Sequence, residues 1–211
     1  EAAEWEVRLG QAEEPGLSEA LRTLQVSLRQ DFAKFVEQRY PGWLAGSRAG
    51  RPPLSIDIVP EFVEPALRQH GKALLVVVDC LRLDQWEAIR PLIASRFDIE
   101  TSYYFSIVPT ATPFARNAIF AGLLPRDLAA RYPQWWKEQD EVSLNGHEAE
   151  LLQRQLYGRH GRHVPVRYEK VFTATDGEAL LGRLPAHLAA DGVTALVFNF
   201  IDQLTHGRTE N

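Results

Sequence analysis

Two short apolar runs limit what this chain can fold into. Residues 73–78 read Ala-Leu-Leu-Val-Val-Val and end at Asp79; residues 194–200 read Thr-Ala-Leu-Val-Phe-Asn-Phe, shortly before Asp202. A continuous, valine-rich run of this length suits a strand buried on both faces, as in a parallel sheet covered by helices on each side. The stretches between them alternate in type. Residues 84–97 read as a helix bent or split by Pro91, residues 99–108 (IETSYYFSIV) as a second strand, and residues 115–124 as a short helix. Residues 147–158 and 176–190 read as further helices, with another strand at residues 170–174 (KVFTA). Strand and helix in alternation predict an α/β fold with a mostly parallel sheet flanked by helices.

The region before the first strand differs. Leu17, Leu21, Leu24, Leu28, Phe32 and Phe35 recur at three- and four-residue spacing, which predicts an amphipathic helix over residues 17–40. Pro15-Gly16 precedes it, Ser18 can cap its first turn, and Pro41-Gly42 is expected to end it. The stretch AGSRAGRPPLS that follows is small, basic and rich in Pro and Gly, as linkers are. The expected division is a small helical appendage and linker region over residues 1–50 and an α/β domain over residues 51–211. An apolar helical stripe serves packing or association, a homodimer being one form of it.

Bulk properties narrow the function. A chain of 211 residues suits one domain plus an appendage. Its net charge of −5 implies no general affinity for nucleic acid, so a phosphorylated ligand must be held by local charge or by metal. Cys80 is the single cysteine, which excludes an internal disulfide and fits a reducing cytoplasm. No apolar stretch approaches the roughly 20 residues that cross a bilayer, so no membrane insertion is expected. The chain begins at Glu1 without a signal peptide and contains no Met, as expected of a piece of a longer protein.

Three stretches carry chemistry. In VVVDCLRLDQW, Asp79 ends the valine run at the strand's carboxyl end, where open parallel sheets bind ligands. It can hold a metal or act as a base, or it can be a loop residue beside Asp84, which suits the helix cap. Arg82 reads as an anion binder or a surface cation, and Cys80 as a small buried residue. In PTATPFARNAIFAGLLP, Thr112 precedes Pro113, a residue suited to a first helical turn. A hydroxyl there meets free N–H groups and the positive end of the helix dipole, and can attack phosphorus or simply cap the helix. In NFIDQLTHGR, Asp202 and His206 stand four apart and can face one ion, or serve as a cap and a surface residue.

Taken in order, these stretches resemble the alkaline phosphatase superfamily, in particular its nucleotide pyrophosphatase/phosphodiesterase branch. PTAT and AGLLP match its Thr-containing and Gly-Leu-Tyr-Pro-like stretches, a spacing that selects Thr112 over Thr110. Closer still is the PglZ-domain family, and within it the PorX-like response regulators. VVVDCLRLDQW, PTATPFARNAIFAGLLP, FNFIDQLTHGRTEN and PLSIDIVPEFV are similar to that subgroup almost residue for residue, over residues 53–211.

The resemblance implies a metal-dependent phosphodiesterase or phosphatase acting on a nucleotide-type substrate, a phosphorylated small molecule or an oligonucleotide. Two divalent ions are implied, zinc in most members, with manganese or magnesium as alternatives. Asp79 and Thr112 would bind one, Asp202 and His206 the other, and Thr112 would be the nucleophile. Arg116 and Asn117 would contact phosphate oxygens. It also implies a receiver domain and a histidine kinase as partners in the parent system, this chain being the effector portion. Family members need a further Asp-His pair and another His later in the chain, so the domain is expected to be incomplete at its C-terminus. His70, His147, His160, His163 and His187 all precede Asp202 and take none of these roles. The alternative is a regulatory, partner-binding module without catalysis. Last, RQLYGRHGRHVPVRYEK, residues 154–170, is locally basic and suits an anionic substrate or a solvated loop.

Overall fold

The computed structural model describes residues 15–136 and 145–202. Among the described residues there are seven α-helices and three strands: α1 Pro15–Ala45, α2 Glu64–His70, β1 Lys72–Val78, α3 Leu83–Ile93, α4 Thr112–Ala121, α5 Pro125–Arg131, α6 Glu148–His160, β2 Val166–Val171, α7 Ala174–Ala189 and β3 Gly192–Phe198, besides three short 3₁₀ or π turns. They fall into two compact units. One is made from residues up to Pro52 together with Leu81–Ser102, the other from Pro53–Cys80 and from Tyr103 onward.

In the first unit α1 runs to Ala45, straight through Pro41, where the sequence predicts a stop. Proline removes one N–H from the helical ladder and normally breaks it. Here the turn beyond Pro41 is held by Trp43, whose ring packs edge-on to Phe35 at 5.7 Å and to Tyr40 at 6.4 Å. The helix also starts at Pro15, which puts Ser18 inside its first turn rather than before it. In α3 the residue flanking the start is Arg82, and Asp84 lies within the first turn. Gln85 Oε1 accepts from Arg82 N at 2.9 Å, while Arg82 grips Asp84 through Nε at 2.9 Å and Nη2 at 2.6 Å. That guanidinium holds the Asp84 carboxyl below its ordinary range.

The second unit carries the α/β fold that the alternating pattern predicts. Its described strands form a parallel sheet in the order β1-β3-β2. Lys72–Val78 align with Gly192–Phe198, and Val166–Val171 with Val193–Phe198. One face bears Ala73, Leu75, Val77, Val193, Ala195, Val197, Val166 and Tyr168, packed on Leu67 of α2, Phe120 of α4 and Leu151, Leu152 and Leu156 of α6. On the other face, Val171 and Leu196 pack on Leu180 of α7. Since β3 lies in the middle, it is the strand buried on both faces, whereas β1 leaves Leu74 and Val76 each 45 % exposed. The valine run is therefore an edge strand among the described residues.

Residues 99–108 are not a strand in a sheet: they make one parallel bridge, Phe105 with Leu54. Their aromatic and β-branched content suits an extended chain, but the neighbouring backbone at Pro53–Ser55 turns into a 3₁₀ segment, Ser55–Asp57, before a ladder can grow. Phe105 N donates to Pro53 O at 2.8 Å and Ile107 N to Ser55 Oγ at 3.1 Å, which fixes the path into α4.

Candidate functional site

Parallel pairing brings the ends of β1 and β3 side by side: Val78 lies opposite Phe198, and Asp79 N donates to Phe198 O at 2.9 Å. The residues just past both strands therefore gather at the carboxyl edge of the sheet. Cys80, next after Asp79, adopts φ 60, the left-handed region. A non-glycine residue there carries backbone strain of roughly 1–2 kcal/mol, a feature that clusters at functional sites. Its Sγ donates to Asp202 Oδ1 at 3.0 Å, so the two strand-end carboxylates flank one thiol. Desolvation first, then the hydrogen bond to Asp202 and its charge, then the charge of Asp79, push the thiol up to about 12 against the opposing pull of Arg116. The thiol is thus a neutral donor near neutral pH.

Thr112 is the first residue of α4, one position inside Ala111, which flanks the helix start without a side-chain cap. Thr112 Oγ1 donates to Asp79 Oδ2 at 3.4 Å. Thr112 thus stands inside the first turn rather than at the capping position, and its hydroxyl faces the strand-end carboxylate. Pro113, in the first turn, has no N–H to lose there.

One turn on, Arg116 is buried, 5 % exposed, and joins three groups. Nη1 donates to Asp79 Oδ2 at 2.8 Å and to Asn199 Oδ1 at 3.1 Å; Nε donates to Glu148 Oε1 at 2.5 Å. Glu148, the first residue of α6, is 1 % exposed. Its Oε2 accepts from the Tyr168 hydroxyl and lies 3.1 Å from Lys170 Nζ, both on β2. Burial, then the Glu148 charge and hydrogen bond, hold the Tyr168 phenol in its protonated form far above its ordinary range. Two cations, Arg116 and Lys170, thus balance two carboxylates, Asp79 and Glu148, as buried charges require.

The sequence-derived residues fall into three groups. Asp79, Thr112, Arg116 and Asp202 lie in this one cluster, reached by the contacts given above. Asn117 is buried, and its Nδ2 donates to Pro113 O at 2.9 Å, back into its own helix. His206 lies outside the described residues. Sequence reasoning missed Glu148, Tyr168, Lys170 and Asn199. Glu148 had a signal: it stands three and four residues before Leu151 and Leu152, on the buried stripe of α6, where a carboxylate demands a partner.

Fitness for a cation can be tested on the donors. Both hydrogen bonds to the Asp79 carboxylate go to Oδ2, so among the described residues Oδ1 has no partner, and the Thr112 hydroxyl lies beside it. This pair of hard oxygens suits a divalent ion. Among the described residues no three His, Cys, Asp or Glu side chains are grouped to hold a metal.

No helix among the described residues is long and apolar enough to cross a membrane. None of the curated proteins matches the chain. Residues 58–211, which include β1, the start of α4 and the end of β3, match the PglZ family, described as the BREX system PglZ alkaline phosphatase-like domain. The match spans most of the chain, and the chain belongs to the PglZ alkaline phosphatase-like domain family.

Proposed function

We propose that the chain is the effector part of a metal-dependent phosphoesterase, a phosphodiesterase or phosphatase with a nucleotide-type substrate, in which Thr112 is the nucleophile. The observation that carries the reading is the Thr112 hydroxyl, which stands in the first turn of α4 and donates to Asp79 at the sheet's carboxyl edge. Asp79 accepts the hydroxyl hydrogen and orients Oγ; Arg116 holds Asp79 in place, and Glu148 holds Arg116. The N-terminus of α4 presents free N–H groups to the phosphoryl oxygens, where the helix dipole favours negative charge. Asp79 with Thr112, and Asp202 with His206, would hold two divalent ions, zinc in this reading. When bound, such ions supply charge neutralisation of the phosphoryl group and a lowered pKa for the nucleophile. The similarity to PorX-like response regulators adds a receiver domain and a histidine kinase as upstream partners in a cytoplasmic signalling system.

The test is turnover of bis-p-nitrophenyl phosphate by the parent protein with zinc or manganese, alongside metal analysis. Thr112→Ala is expected to lower kcat by about 10³-fold or more, with metal content reduced and the fold retained. Unchanged turnover in that variant would sink the assignment. A second reading, a partner-binding module without catalysis, draws on Arg116, a resident cation already paired with Asp79. It predicts equal partner binding by wild type and Thr112→Ala, with no metal-dependent hydrolysis by either.

A further inference from the structure

The basic stretch at residues 154–170 divides into cations used by the fold and cations that are not. Arg159 grips the buried Glu64 of α2. Arg167 donates to Ala190 O at 2.9 Å and Asp191 O at 2.6 Å, and Lys170 to Asn145 O at 2.6 Å. Arg154, Arg162 and His163 have no ion-pair or hydrogen-bond partner among the described residues. These three line two cavities.

The smaller cavity, about 200 Å³, is lined by Arg68, His160, Arg162 and His163, with Asp191 as its one acid. Arg68 is paired with Glu64, which lies outside the lining and 3.6 Å from His160 Nε2, so two guanidiniums and two imidazoles line the cavity against one carboxylate. The larger cavity, about 500 Å³, lies along α6 beside the edge strand β2. It presents Trp135, Tyr157 and Val166, with Glu150, Gln153 and Arg154 as its polar lining beside His163. His163 lines both, so the two adjoin. Gly71, Pro165 and Gly192 place the smaller cavity at the amino edge of the sheet, a strand length, roughly 20 Å, from Asp79.

We propose that the two cavities form one binding site for a nucleoside monophosphate, separate from the Asp79 cluster. The cationic cavity takes the phosphate, as guanidinium and imidazole donors suit its oxygens. The larger cavity takes the base, against the aromatic ring of Tyr157, 55 % exposed, with the unpaired Arg154 guanidinium able to stack on it. Gln153 already donates Nε2 to Val164 O at 2.8 Å, which turns its Oε1 toward accepting from a base amine. Their combined volume is in the range of sites for ligands of this size, on the order of 300–1,000 Å³.

The experiment is calorimetric titration of the whole chain with AMP, inorganic phosphate and adenosine in turn, with circular dichroism to verify the fold of each variant. AMP is expected to bind wild type and Asp79→Asn alike, to be displaced by phosphate, and to bind at least tenfold more tightly than adenosine. The Arg162→Ala/His163→Ala double variant should lose tenfold or more in AMP affinity. Tyr157→Ala should weaken AMP while leaving phosphate affinity unchanged. The proposal is overturned if wild type takes up no AMP, if AMP binds no better than phosphate, or if Asp79→Asn abolishes binding that the double variant retains.

Discussion

Arg116 shows how a single side chain ties the cluster together. It links Asp79, at the end of β1, to Glu148, at the start of α6, so the carboxylate beside Thr112 is oriented by a charge on another element. Removing Glu148 leaves Arg116 and Lys170 without their shared carboxylate. Glu148→Ala is therefore expected to cost roughly 3–5 kcal/mol, read as a lowered urea midpoint, while Glu148→Gln, whose amide oxygen still accepts, costs less. A Glu148→Ala variant as stable as wild type would show that the network is not a unit. At this scale the sequence is informative about residues in register with a motif, since Asp79, Thr112 and Asp202 follow recognisable strand and helix boundaries. It is poor on residues that only their partners identify. Asn199 and Tyr168 become visible once β3 sits between β1 and β2, and no local pattern encodes that order.

Elements were legible where a period was strong and neighbours were not decisive. The helix α1 with its apolar stripe, the helix α6 and the apolar run of β3 all appear in the regions where the sequence predicts them. The failures share a cause, since each was settled by a neighbour. Aromatic packing carries α1 through Pro41, residues 99–108 find one bridge instead of a ladder, and β1 is an edge because β3 enters between it and β2. Glycines bring the same contrast to testable form. Gly192 opens β3 at φ 102, and a Cβ there would meet Pro165 O at 2.2 Å. Gly192→Ala should therefore destabilise by about 2 kcal/mol or more. Gly158, inside α6, has open space around it, and Gly158→Ala should stabilise by roughly 0.5–1 kcal/mol. Equal urea midpoints for the two variants would contradict this reading of their backbones.

At the scale of the whole molecule, the chain has unfinished surface. Along α1, Leu17, Leu24, Leu28, Phe32 and Phe35 stand 42–56 % exposed on one helical stripe. Contiguous apolar area of this kind marks association, and a twofold pairing of the stripe with itself is the simplest closed arrangement. Sedimentation velocity is expected to give a dimer at tens of micromolar and a monomer for Leu28→Glu/Phe32→Glu; a monomeric wild type at all concentrations would refute it. The middle position of β3 has a further consequence. Since β3 is made after both strands it separates, β1 and β2 lack the described strand that joins them until residues 192–198 have emerged from the ribosome. During that interval both backbone edges of β1, and not its outer one alone, are open to strands of other chains. Asp79 and Asp202 come together through the pairing of β1 with β3, so a nascent chain stalled before residue 192 has Asp79, Thr112 and Arg116 but lacks the second acid of the candidate site.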